Sequence, residues 1–256
     1  MNTELRPQAA RVESGGAIPV RRFGWRRLQV IAAIGVLISF VAPMVIELSL
    51  EPFFLSMAAP FAIGLLLMMK RPRVAAIWLG FVSLAVLMFS LPFLGDALTH
   101  PESAVDFIPL SLFALGSVLG AAAAIPAFRE IGEGAVQPKS PRRIATASAG
   151  LLIAASAWSL VASARSDNIE PQPGDLLIVT EDFAFTPTDV TTDPGTVSIA
   201  VTNQDNTRHT FTNAELGVDL SVPPGTTQRV TFTAEPGAYT FFCGPHPDMQ
   251  GQLVAG

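Results

Sequence analysis

The chain is poor in the residues from which most metal and redox sites are built: 256 residues hold one cysteine and three histidines. A lone cysteine, Cys243, excludes an intrachain disulfide, so cysteine pairing says nothing about compartment. Three imidazoles are too few for a multicopper centre that reduces oxygen. The long apolar runs hold no histidine, which excludes a haem carried inside them on paired imidazoles. They also lack a charged residue in mid-run, and with it the usual pointer to an ion pathway.

What the first 164 residues do have is apolar length. Five stretches, 28–46, 52–69, 74–94, 107–128 and 144–164, match the roughly 20 helical residues that cross a bilayer core. The segments between them alternate in charge. Residues 1–27 carry six cations (Arg6, Arg11, Arg21, Arg22, Arg26, Arg27), Lys70, Arg71 and Arg73 add three, and 129–143 adds Arg129, Lys139, Arg142 and Arg143. The intervening loops, 47–51 and 95–106, contain none. Positive segments stay cytoplasmic, so the pattern predicts a plasma-membrane protein with its N-terminus inside and its C-terminal domain extracytoplasmic. Trp25 fits an interfacial anchor, and Pro43 and Pro60 predict kinks in the first two spans. Small residues crowd the fourth and fifth spans, which predicts close helix packing there.

Other features of this half admit competing readings. The fifth span, from Arg142-Arg143 to Val161-Ala162-Ser163-Ala164, imitates a signal peptide, so a retained anchor competes with proteolytic release of the outer domain. Arg21-Arg22-Phe23 resembles a twin-arginine signal but also belongs to the positive cluster. Met44, Met57, Met68, Met69 and Met88 could form a copper-conducting ladder, although their spacing is irregular and methionine is ordinary apolar filler. For His100, in the second loop, a solvated surface role is the default.

Residues 165–256 are different in kind, with three cations against twelve carboxylates, a net of −9, whereas the first 164 residues are net +4. That balance argues against nucleic acid as a partner. A polar, proline-bearing linker over 165–174 leads into runs rich in Val, Ile, Thr and Phe at 176–180, 196–202, 209–212, 226–233 and 238–242. Turn signals separate them: Asp193-Pro194-Gly195, Asp205-Asn206, Pro223-Pro224-Gly225 and Glu235-Pro236-Gly237. The predicted architecture is an all-α bundle of about five transmembrane helices followed by an all-β sandwich at 175–256. Phe183, Phe185, Phe232 and Phe241 are expected in its core.

The scarce ligand-forming residues converge in this half. Cys243, His246 and Met249 follow one another at three-residue steps, and His209 lies upstream. One thiolate, two imidazoles and a thioether suit a one-electron copper site. Zinc is the competing metal, since Cys and His serve it equally well. Taken singly, a buried Cys or Met is usually packing.

Three groups of residues carry a family resemblance over about a third of the chain. They are Phe185-x-Pro187 with Pro194-Gly195 and Val197-x-Ile199-x-Val201-x-Asn203; the stretch 205–209; and Pro236-Gly237-x-Tyr239-x-Phe241-x-Cys243 with Pro245-His246-Pro247 and Met249-x-Gly251. The segment resembles the cupredoxins, the family of plastocyanin, amicyanin and halocyanin, with a short ligand loop of amicyanin type. The resemblance implies a Greek-key sandwich and one type 1 (blue) copper ion held by His209, Cys243, His246 and Met249. It implies two imidazoles and the thiolate in a trigonal plane, Met249 as a weak axial ligand and the His246 edge as the electron exit. Where many members have Asn after the upstream histidine, this chain has Thr210, whose shorter side chain puts the rigidity of the site in question.

The expectation is an electron carrier or copper-binding protein rather than an enzyme. Its partner would be a basic redox protein such as a cytochrome c, or a terminal oxidase, steered by the acidic outer domain. The alternative is extracytoplasmic copper capture, storage or sensing.

Overall fold

In hydrocarbon every backbone N–H and C=O must be satisfied within its own segment, and helices meet that demand. The structure, a computed structural model, describes residues 23–46, 50, 52–133 and 140–256. The cationic segment before residue 23, most of the 47–51 turn and Lys139 lie outside the described residues. Five helices occupy the expected spans: α1 (Trp25–Ile46), α2 (Pro52–Lys70), α3 (Pro72–Thr99), α4 (Ala104–Glu133) and α5 (Ser140–Ala164). All five are long and apolar enough to cross a membrane.

Small residues set how closely α1, α3 and α4 approach. A Cβ placed on Gly80 would lie 2.3 Å from Ala124 Cβ, and one on Gly116 would meet Val36 Cγ2 at 2.8 Å. Val36, Phe61, Leu79 and Phe113 fill the space between helices. The close packing expected of α5 is not found. Its alanines at 147 and 149 are exposed, Gly150 has open space, and only Pro141 and Ser159 are buried. A helix with an apolar outer face has no need of a protein partner if lipid covers it. The methionine ladder also dissolves, with Met44 and Met68 buried but Met69 and Met88 outward-facing.

Trp25 N–H donates to Glu130 Oε2 (2.6 Å) and the Arg26 guanidinium to Met68 O (3.2 Å). These contacts gather the cationic segments at one end of the helices. The α3–α4 loop and the end of α5, which leads to the sandwich, lie at the other.

The sandwich has nine strands: β1 (Leu176–Glu181), β2 (Ala184–Thr186), β3 (Asp189–Thr192), β4 (Gly195–Asn203), β5 (His209–Asn213), β6 (Val218–Val222), β7 (Thr227–Ala234), β8 (Gly237–Phe242) and β9 (Gln250–Ala255). One sheet is ordered β2-β1-β4-β7, the other β3-β9-β8-β5-β6. The strands β1, β4, β5, β7 and β8 are those expected from the sequence; β2, β3, β6 and β9 are additional. Alternation puts Ile178, Val197, Ile199, Val201, Phe211, Phe241 and Leu253 between the sheets. Phe185, Phe211 and Phe241 stack there, the Phe185 and Phe241 rings edge to face at 5.0 Å.

The expected linker is partly fastened to the sandwich. Ile169 N–H donates to Thr227 O (2.9 Å), Thr227 N–H to Asn168 Oδ1 (2.8 Å) and Gln228 Nε2 to Asp167 O (2.6 Å).

Candidate metal centre

The site sits where two strands end. Cys243 follows β8, so its backbone direction is fixed by pairing with β9 across Phe242 and Gln250. The chain then folds back on itself. His246 N–H donates to Cys243 O (3.2 Å), Met249 N–H to His246 O (2.9 Å) and Cys243 N–H to Met249 O (3.0 Å). Pro245 and Pro247 have no N–H to satisfy and stiffen the turn. The loop carries His246 back over Cys243 and buries Met249, only 3% exposed, in the cluster that includes Cys243. His209 opens β5 and is fully buried.

Three donor atoms meet. His209 Nδ1 and His246 Nδ1 each lie 3.5 Å from Cys243 Sγ and 3.2 Å from one another. Among the described residues this is the one His/Cys/Asp/Glu group whose ligand atoms converge on a metal position. A point equidistant from all three lies about 2.0 Å from each, close to first-row metal bond lengths to imidazole nitrogen and thiolate sulfur. The donor set therefore fits a single ion. His100, the third histidine, is elsewhere, its Nδ1 2.8 Å from Glu102 Oε1 in the α3–α4 loop.

Surrounding groups hold the imidazoles in the orientation a metal needs. His209 Nε2 lies 2.7 Å from Asp205 Oδ2, so the ring proton sits on Nε2 and the Nδ1 lone pair points inward. Asp205 also accepts from the Asp182 and Phe183 N–H groups, fixing the β1–β2 turn, where both residues have positive φ. That turn presents Phe183 edge-on to both imidazoles, at ring distances of 5.7 Å to His209 and 4.9 Å to His246. Phe183 is 45% exposed, so it is not the core residue expected from the sequence but a partial lid on the histidine pair. Phe185 and Phe241 are in the core, and Phe232 is half-buried against it.

Thr210 performs the tie that its short side chain had placed in question. Its Oγ1 accepts from Gly244 N–H (2.8 Å), and its own N–H points at Cys243 Sγ (3.3 Å). Asn203, buried, braces the β4–β5 loop by donating to Thr207 O (2.8 Å) and Val222 O (2.9 Å). The roles of Asp205 and Phe183 were not read from the sequence. The available signal was weak: a carboxylate four residues before His209, and an aromatic beside a turn.

Burial decides the protonation states. His209 is lowered below the ordinary imidazole value by desolvation, opposed by Asp205. His246 is brought down to about 4, first by burial and then by the neighbouring His209. Burial pushes the Cys243 thiol up, opposed by the backbone N–H groups of Thr210 and His246. At neutral pH both imidazoles are therefore ready to coordinate, and only the thiol proton has to leave.

Residues 151–255 match the family model of the cupredoxin-like domain, a match that begins inside α5. The chain thus carries a C-terminal cupredoxin domain preceded by five apolar helices. Among solved structures it is similar to an oxidised amicyanin variant at 16% identity, covering 34% of this chain and 87% of that one, with a TM-score of 0.30. A reduced amicyanin variant matches at 17% identity with the same coverages and a TM-score of 0.29. A Cu(I) form of a further amicyanin variant gives the same identity, coverages and score as the second. No curated protein matches the chain.

Proposed function

We propose, on the premise of that cupredoxin domain, that the chain is a membrane-anchored type 1 copper protein that passes single electrons on the extracytoplasmic face. The observation that carries this is the triangle of His209 Nδ1, Cys243 Sγ and His246 Nδ1, with sides of 3.2 to 3.5 Å. His209, Cys243 and His246 would hold one copper ion, with the buried Met249 thioether as fourth ligand. Copper in such a set supplies a one-electron couple whose two oxidation states need little rearrangement. Met249 and the family match favour copper over zinc.

The protein's part is to keep the donors fixed and dry. Thr210 ties the two ligand segments, Asp205 sets the His209 tautomer, and Phe183 shields both rings. Complete burial of Cys243 and His209 supports a resident metal rather than an exchanging cargo. His246, half-buried between exposed Pro245 and Pro247, is the ligand nearest to solvent and the natural exit for an electron. The alternation of basic loops with loops that hold no cation supports an extracytoplasmic sandwich.

The test is optical. The full chain in detergent, loaded with Cu(II), is expected to show an intense visible band from thiolate-to-copper charge transfer. Cys243→Ser should abolish the band, and Met249→Leu should retune it with the metal retained. A colourless copper complex of the unmodified chain overturns the assignment, and rapid loss of Cu(I) to a chelator would favour copper handling.

A further inference from the structure

The β4–β5 loop, immediately before His209, is where the sandwich meets the helices. Thr207 Oγ1 donates to Asp106 Oδ2 at 2.6 Å, and Arg208 N–H approaches the same oxygen at 3.5 Å. Asp106 lies in the first turn of α4, where a carboxylate is favoured by the helix dipole, and Ser103 Oγ donates to it as well. The Arg208 guanidinium reaches Asp96 Oδ2, near the end of α3, at 2.5 Å. Its side chain is 6% exposed while that of Asp96 is 55% exposed, so a cation of the sandwich is desolvated against an anion of the helices. The loop between α3 and α4 is itself held from behind, since Ser159 Oγ of α5 donates to Pro101 O (2.6 Å).

We propose that the helical half is a cradle for the metal pole, docked in cis through Asp96 and Asp106, and that Asp106 is a positioning residue for His209. Thr207, Arg208 and His209 are consecutive, so fixing the first two from α3 and α4 fixes where the imidazole stands. The docking is polar and water-poor, with Ser103, Thr207 and Arg208 all nearly inaccessible. The Asp106 carboxylate, bonded to Thr207 and facing the Arg208 N–H, meets the chain within two residues of His209. A carboxylate from the membrane half therefore belongs to the electrostatic environment of the site, and a sandwich cut free from its helices would lack it. The docking stands without a metal; its effect on the couple rests on the copper assignment above.

Two measurements on the full chain in lipid nanodiscs test this separately. For docking, Thr207→Cys with Ser103→Cys, whose hydroxyls share Asp106 Oδ2 and whose replacement leaves Asp96, Asp106 and Arg208 in place, in a metal-free Cys243→Ser background, should be joined by a short thiol-specific cross-linker. Either cysteine paired with one at exposed Asp193 should not. Absence of the first cross-link overturns the cradle, whatever metal the protein binds. For positioning, Asp106→Asn in the copper-loaded chain removes a negative charge that favours Cu(II). The couple should then move to more positive potential by on the order of tenfold in its equilibrium constant, ~59 mV for one electron. Asp106→Glu, which keeps the charge, should move it less. An unchanged potential and charge-transfer band in Asp106→Asn overturns the positioning role. If the unmodified loaded chain has no such band, it is the copper assignment that fails, and the cross-link still decides the docking.

Discussion

At the scale of single residues, protonation in this site is governed by what excludes water. His246 has its imidazole brought down to about 4, chiefly by burial. In the unfolded chain it titrates near 6.5, so below that pH the unfolded state binds more protons and folding becomes less favourable. The stabilisation is fully present above pH 6.5 and is lost as pH falls through 6.5 towards 4. The metal-free protein should lose at most about 3 kcal/mol over that window, from 1.36 kcal/mol per unit. Denaturant melts at several pH values check this, and His246→Gln should flatten the dependence. Phe183→Ala opens the same ring to water, so the His246 titration followed by NMR should move from about 4 towards the ordinary imidazole value. A titration that stays put would mean that the lid is elsewhere.

At the scale of elements, the loop from Cys243 to Met249 is only as stiff as the strands that launch it. The β8–β9 pair is continuous from Gly237 opposite Ala255 to Phe242 opposite Gln250, and Cys243 leaves directly from it. Gly251 allows that pairing to lie against the core. A Cβ there would be 2.3 Å from Phe241 Cζ and 2.5 Å from Thr188 O, one a buried ring and the other backbone. Gly251→Ala should therefore cost the sandwich about 1–3 kcal/mol by overpacking and disturb the Cys243 geometry with it. Thermal melts together with the charge-transfer band would register both. The reason for a glycine two residues past Met249 is thus steric, though the sequence showed it only as part of a family pattern. Another of the three family groups ends in Asn203, whose amide bonds to Thr207 and Val222 became legible only in three dimensions.

At the scale of the whole molecule, charge is separated along the chain. A sandwich segment of net −9 follows a helical half of net +4. If the partner is basic, association should slow steeply as salt shortens the screening length to about 8 Å at physiological ionic strength. Stopped-flow reduction by a cationic cytochrome across a salt series measures this, and rates insensitive to salt would remove electrostatic steering. The docking through Asp96, Asp106, Thr207 and Arg208 bears on orientation as well. A sandwich held at two places, by its linker on β7 and by the β4–β5 loop on α3 and α4, keeps the edge with Phe183, Pro245 and Pro247 exposed.

The amino-acid order alone determined the five spans, because apolar length is a property of contiguous residues. It also marked Cys243, His246 and Met249, because one tight loop places them, and His209, because histidine is so rare here. Four strands escaped it. β2 and β3 are too short to show a period, β9 rests its register on a glycine, and β6 escapes despite the clean alternation of Val218-Asp219-Leu220-Ser221-Val222. Folding alone decided what lies around His209, Cys243, His246 and Met249. Phe183 reaches both imidazoles through the β1–β2 turn, Thr210 finds Gly244 across 34 residues, and Asp106 meets Thr207 across 101. Contacts between segments so far apart depend on how two sheets and five helices pack, and no local pattern of residues encodes them.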